Sequence, residues 1–221
     1  MTVTDELVTF ISGATPPAAA LTEAAAQLDA VRAKARQSGE AVKGAYPGGR
    51  PTAMNRAWRT VVSTGEAAGW TAVTATVDAL QDVSNEAEVP AAIAVGTAVA
   101  EQVAAALRSA EAAARWSHRN VAGLIGAGAA AGRLLRLDET ALRHLIGLCA
   151  TQAAGLASAD GTDVGTIQTA KSAADAVEAA ILARHGFTSS ADGMSGRRGL
   201  FGVLAPEAEW TSEPRWGAER A

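Results

Sequence analysis

Apolar side chains recur along this chain three and four residues apart and seldom alternate, the spacing of helices rather than of strands. Leu21, Ala25, Leu28 and Val31 set one such stripe and predict a helix from about Ala19 to Ala41. Glycine and proline then crowd into Gly44–Pro51, the clearest loop in the sequence. A second helical region covers roughly Ala53 to Asp82, with a break expected near Gly69. Asn85–Pro90 reads as a helix start, because proline fits the first turn and the acids Glu86 and Glu88 suit the positive end of the dipole. That helix is expected to reach about Arg115, with a turn over Trp116–Asn120 and a further helix over Val121–Arg136.

Asp138 is a good N-cap for the next helix, expected to run to about Ser158. A loop at Ala159–Asp163 precedes the last long helix, Gly165–Arg184, which Gly186 would close. No strand pair emerges; Gly199–Leu204 comes nearest and lacks a partner. The reading is all-α, a multi-helical bundle. Residues 1–18 read as a flexible leader ending at Pro16 and Pro17. Residues 19–206 form a single helical domain, and 207–221 a tail, docked or frayed.

Composition sharpens this picture. About a quarter of the 221 residues are alanine and only 4% are aromatic, which favours helices that approach closely. Gly123, Gly126, Gly128 and Gly132 fall within one helix, where each costs about 1 kcal/mol relative to alanine. Close helix packing is the expected reason; with no strand before them and no Gly-Lys-Ser after, they are not a phosphate loop.

Net charge is −4, so there is no overall basic field for nucleic acid. The distribution is uneven. Seven acids between Glu66 and Glu111 face only Arg108, whereas Arg115, Arg119, Arg133, Arg136 and Arg143 face only Asp138 and Glu139. The second stretch is either a set of ordinary solvated faces or a positive wall suited to an anionic substrate.

The single cysteine, Cys149, lies in an apolar run and reads as a small buried hydrophobe. His118, His144 and His185 do not share metal-ligand spacing, so neither a metal nor another cofactor is expected. The longest apolar run, Val121–Leu135, is too short to span a bilayer, and the acidic start at Asp5 and Glu6 is unlike a signal peptide. The expected location is the cytosol, with no membrane or nucleic-acid partner.

Several phrases between Trp116 and Pro206 carry a family likeness: Leu134-Leu-Arg-Leu-Asp138, Thr151-Gln-Ala-Ala-Gly-Leu156, His185-Gly-Phe-Thr188 and Gly196-Arg-Arg-Gly-Leu-Phe201. Together they resemble the helical domain of the 2-methylcitrate dehydratase (MmgE/PrpD) family, which includes cis-aconitate decarboxylase. Val89-Pro-Ala-Ala-Ile-Ala-Val95 looks like the family's proline-led helix. The resemblance implies acid/base chemistry on a small organic acid, by a lyase, dehydratase, isomerase or cyclase. It also implies a homodimer. No counterpart of the family's α+β lid domain is expected in these residues. A non-catalytic paralogue, or one subunit of a split enzyme completed by a full-length or lid-bearing paralogue, is the alternative.

The family's catalytic phrases are altered here. Gly165 stands at its lysine position and Gln168 at its histidine position; His118 is one place late. Asp82 is what remains of an early acidic phrase. The resemblance thus implies His118, Asp82 and Lys171 as catalytic candidates. Arg119, Trp116, Asp163 and Gln168 are the substrate-binding candidates, Arg119 because its fork can clamp a carboxylate. Each has a plainer use: capping for His118, a helix end for Asp82, solvated surface for Lys171 and Arg119. Trp58, Trp70 and Trp116 serve either a pocket wall or the core.

Overall fold

The computed structural model describes residues 1–38, 52–65, 70–83, 85–108, 114–214 and 216. Among them the chain forms helices α1 (Val3–Gly13), α2 (Ala18–Gln37), α3 (Ala53–Thr64), α4 (Thr71–Leu80) and α5 (Val89–Arg108). These continue as α6 (His118–Leu134), α7 (Glu139–Gln152), α8 (Asp163–Arg184) and the short α9 (Leu200–Leu204). No strand occurs among the described residues beyond one bridging pair, Trp116 with Leu156. The expected loop at Gly44–Pro51 lies outside the described residues.

Two helices make the centre. The glycines of α6 meet α5 backbone to backbone: a Cβ on Gly126 would lie 2.5 Å from Gly96 O and 2.6 Å from the Ala100 Cβ. From the other side, a Cβ on Gly96 would lie 2.6 Å from Gly126 O. This contact explains why α6 accepts the cost of glycine. Further along α6, Gly128 leaves room for Cys149 of α7, whose thiol is fully buried and pushed far above its ordinary pKa by desolvation. The segment Glu86–Arg108 is long and apolar enough to cross a membrane, yet most of it is buried among the other helices. α8 packs against α3, α4, α6 and α7, and Ser172–Val177 are all buried.

The N-terminal segment corrects the sequence reading. Residues 1–18 are not a loose leader: Thr2 and Asp5 close a capping box, and Leu7, Val8 and Ile11 of α1 are buried. The two prolines mark only the gap between α1 and α2. Long-range bonds fasten α1, three of them through side chains of its first turn. Arg143 Nη1 meets Asp5 Oδ1 at 2.7 Å, Thr4 Oγ1 donates to Asp192 Oδ1 at 2.8 Å, and Trp210 Nε1 donates to Glu6 Oε2 at 2.8 Å. The described part of the tail is therefore docked, and Trp216 also packs against Phe10, their ring planes tilted by 44°.

Local capping sets the other limits. Ser117 Oγ accepts from Asn120 N, so α6 begins within the stretch expected as a turn. α7 stops at Gln152, short of Ser158, because the chain turns to pair with the α6 entry. Ser117 N donates to Gly155 O at 2.9 Å, and Ala157 N donates to Arg115 O at 3.0 Å. Gly199–Leu204, the nearest thing to a strand in the sequence, is mostly α9.

Charges follow the packing. Asp78 pairs with Arg32, Asp82 with Arg56 and Glu88 with Arg136, so three acids of the acidic stretch are met by arginines from outside it. The arginines of α6 and α7 do not form one positive wall. Arg133 donates to Ile11 O and Ser12 O at the end of α1, while Arg136 and Arg143 hold Glu88 and Asp5. Arg133 and Arg119 lie at opposite ends of a 17-residue helix, about 25 Å in length.

Two outcomes are expected. Gly126→Ala should destabilise by about 1–3 kcal/mol, because its methyl meets backbone that cannot yield. Gly123→Ala, whose Cβ would sit 3.6 Å from the Ala72 Cβ, should be neutral or stabilise by up to about 1 kcal/mol. Urea denaturation of both variants separates them; equal effects would remove the close-approach argument. For Asp5, the Thr2 N–H and the Arg143 guanidinium lower the carboxyl from 3.8 to about 2. A depressed folded-state pKa stabilises above 3.8 and loses that contribution as pH falls through about 2. The melting-temperature gap between the wild type and Asp5→Asn should be full above about pH 4 and close near about pH 2.

Candidate functional site

Where α6 begins, α7 ends and α8 begins, a polar cluster sits between helices. Asn120, 2% exposed, is its hub. Its Nδ2 donates to Ser117 Oγ and to Gln168 Oε1, both at 2.9 Å, and its Oδ1 accepts from Thr169 Oγ1 at 2.8 Å. Ser117 Oγ donates onward to Asp160 Oδ1 at 2.6 Å. Ser172 Oγ donates to Gln168 O at 3.1 Å and lies 3.3 Å from Asn120 O. Every polar atom of the Asn120 side chain is thus satisfied, as burial demands.

Beside this cluster lies a cavity of about 320 Å³. Trp116, Gln152, Gln168, Lys171, Ser172 and Asp175 supply its chemistry. Lys171 and Asp175, one helical turn apart on α8, form an ion pair. The pair is asymmetric: the lysine side chain is 55% exposed and the aspartate side chain 12%. An ammonium therefore reaches the opening while its counter-ion stays inside. Gln168 is fixed by Asn120 through its carbonyl oxygen, which leaves its Nε2 hydrogens available as donors.

Three of the seven residues expected at a site, Trp116, Gln168 and Lys171, share this cavity. His118, the first residue of α6, is half-buried and follows the capping Ser117. Burial, with Arg108 and Arg119, lowers its imidazole below the ordinary 6.5, against an opposing pull from Asp160. It is therefore mostly neutral at pH 7 and able to accept a proton. Arg119 and Asp163 are exposed, on the first turns of α6 and α8. Asp82 stands apart, exposed in the turn after α4, with Arg56 Nη2 at 3.5 Å.

Of the other tryptophans, Trp70 is core, its indole N–H donating to Glu101 Oε1 at 2.8 Å. Trp58 packs against the core as well. The sequence reading passed over Asn120, Ser172 and Asp175. Only Asp175 left a signal, four residues after a lysine on a predicted helix, the spacing of a helical ion pair.

A second, larger groove of about 860 Å³ adjoins the first, and Trp116 belongs to the walls of both. Its far side is the glycine-rich segment after Ser190, including Arg197 and Arg198.

A family model described as the MmgE/PrpD N-terminal domain matches residues 55–213, which include both cavities. No curated protein matches the chain. The match gives meaning to two positions. At Gly165, where the family resemblance places a lysine, a Cβ would lie 2.6 Å from Ala159 O. The tight turn Ala157–Ala159 has taken the space a side chain would need. At Gln168, where the resemblance places a histidine, an amide locked to Asn120 can donate and orient but cannot act as a base.

The hub makes a testable claim about coupling. Asn120→Ala should cost roughly 1–3 kcal/mol, since it leaves buried partners unsatisfied. Asn120→Ala and Gln168→Ala should then combine non-additively, by at least about 0.5 kcal/mol. Chemical denaturation of the two single variants and the double variant measures this, and strict additivity would show that the two amides are not one unit.

Proposed function

Because the chain belongs to the MmgE/PrpD family, we propose that it is a divergent acid/base enzyme of that family. It would be a lyase, dehydratase, isomerase or cyclase acting on a small or medium organic acid. The observation that carries this reading is the cavity itself. It combines an ammonium at the opening, a mostly buried carboxylate, an oriented amide and an aromatic wall.

Lys171 Nζ binds the substrate carboxylate as a charge-assisted donor. A proton on the carbon next to that carboxylate is then removed by a carboxylate or imidazole base. Asp175 lines the cavity; His118, neutral at pH 7, stands at the start of α6. The enediolate left behind gains charge on oxygen, which Lys171 and the Gln168 Nε2 hydrogens stabilise. The changes at Gly165 and Gln168 reduce the number of cations facing substrate, which suits an acid carrying less charge than a tricarboxylate.

A second reading has its own observation. Leu156, Val164 and Ile167, on the α7–α8 connection and the first turns of α8, are 57%, 55% and 48% exposed. Apolar surface at a site entrance fits a partner that covers it, as in a split enzyme completed by a full-length or lid-bearing paralogue. A homodimer is proposed in either case.

The test is a thermal-shift screen of small carboxylic acids, followed by α-carbon deuterium exchange of any binder, read by NMR. At least one acid should raise the melting temperature. Lys171→Met should weaken that binding by about tenfold or more, measured at a temperature where the variant, destabilised by leaving Asp175 unpaired, is still folded. Exchange should fall in Asp175→Asn or His118→Ala. If no acid stabilises the wild type, the enzyme reading fails and the covered-partner reading stands.

A further inference from the structure

The larger groove has no part in the proton chemistry above, and its walls are of a different kind. Trp116, Ala150, Ala153, Leu200, Val203 and Leu204 give it an apolar surface. Val203, on that wall, is 67% exposed, so its side chain is open to a ligand. Two guanidiniums, Arg197 and Arg198, stand on the same wall, and among the described residues neither has a carboxylate partner. The backbone N–H groups of Gly196, Arg197 and Arg198 also make no hydrogen bond among the described residues.

The one acid in the wall is Asp192, and it is already engaged. Its Oδ1 accepts from Thr4 Oγ1 at 2.8 Å and from Ser195 N at 2.9 Å, and its Oδ2 accepts from Ser195 Oγ at 2.5 Å. Burial raises its pKa, but the bonds from Ser195 and Thr4 outweigh this and hold the carboxyl below its ordinary value. Its charge is therefore turned toward Thr4 and Ser195, and the unpaired charge of the groove is positive.

The wall is also preformed. A Cβ on Gly193 would lie 2.7 Å from Gly147 Cα, so the segment sits backbone-on-backbone against α7. Leu200 N donates to Gly193 O at 2.9 Å and Phe201 N donates to Met194 O at 3.0 Å, with Met194 fully buried beneath. A groove that needs no ordering binds without that entropic penalty. Its volume, about 860 Å³, is in the range that holds drug-sized molecules rather than a compact polyacid.

We infer that this groove binds an amphiphilic organic acid, with the carboxylate at Arg197 and Arg198 and an apolar chain along Leu200, Val203 and Leu204 to Trp116. The inference rests on the functional reading above for its meaning, since Trp116 joins this groove to the smaller cavity. It adds to the cavity for small acids a second site, for acids bearing a substantial apolar body. Binding to the groove itself can be measured apart from any turnover.

The experiment is calorimetry on the full chain with saturated monocarboxylates from butanoate to decanoate, with citrate and decanol as comparators. Affinity should rise about twofold to fourfold for each added methylene, and citrate should bind more weakly than decanoate. Arg197→Gln/Arg198→Gln should weaken decanoate about five- to tenfold and leave decanol unchanged. Val203→Asp should weaken both. Lys171→Met should change decanoate affinity less than about twofold, which separates this groove from the smaller cavity. The inference is overturned if affinity is flat with chain length, if citrate binds as well as decanoate, or if the arginine variant binds decanoate as the wild type does. Loss of decanoate binding in Lys171→Met alone would overturn it too, while supporting the functional reading.

Discussion

The contact between Gly96 and Gly126 sets the spacing of everything else. A peptide group on α5 occupies the place where α6 would carry a side chain, and the reverse. Helices this close bury small residues almost completely: fourteen of the seventeen residues of α6 are buried, and all of those except Asn120, at its first turn, are apolar. With α6 held against α5, its outer surface receives α8, and the two helix starts come together where the polar cluster forms. A shift of α6 by even part of a turn would separate Asn120 from Gln168 and Thr169. The precision of the candidate site is thus inherited from a backbone contact in the core.

That inheritance explains the division of labour among charged groups. Arginines far from the site act as struts, fastening α1 and the turn before α5. The cations that remain near the cavities are few and belong to different elements: Lys171 on α8 and Arg197 and Arg198 on the glycine-rich wall. A single ammonium over a buried carboxylate is suited to one carboxylate at a time. The guanidiniums lie across Trp116, in a separate and more apolar setting. The two regions therefore discriminate by different physics, one by charge and proton position, the other by apolar area.

Much of the bundle was legible from spacing and caps. Asp138 capped α7, Pro90 marked the first turn of α5, and the glycine run of α6 was correctly read as a close contact. α1 is hard to read in the sequence because Pro16 and Pro17 mark a break and obscure the Thr2–Asp5 box before it. The end of α7 has no local signature, because it is set by pairing with Arg115 and Ser117, a tertiary event. The site shows the same limit. Trp116, Gln168 and Lys171, which the family resemblance singles out, line the candidate cavity, whereas Asn120 leaves no sign in the sequence, because a buried amide reveals itself only when its partners from another helix are known.

The close approach of Gly165 to Ala159 limits what position 165 can carry. A side chain there would require the turn at Ala157–Ala159 to move, and that turn is tied through Ala157 to Arg115, just before α6. A single substitution would therefore disturb the segment that carries Trp116 and His118. Glycine at 165 lets that turn fold against the first turn of α8, so the start of α8 and the entry to α6 behave as one mechanical unit.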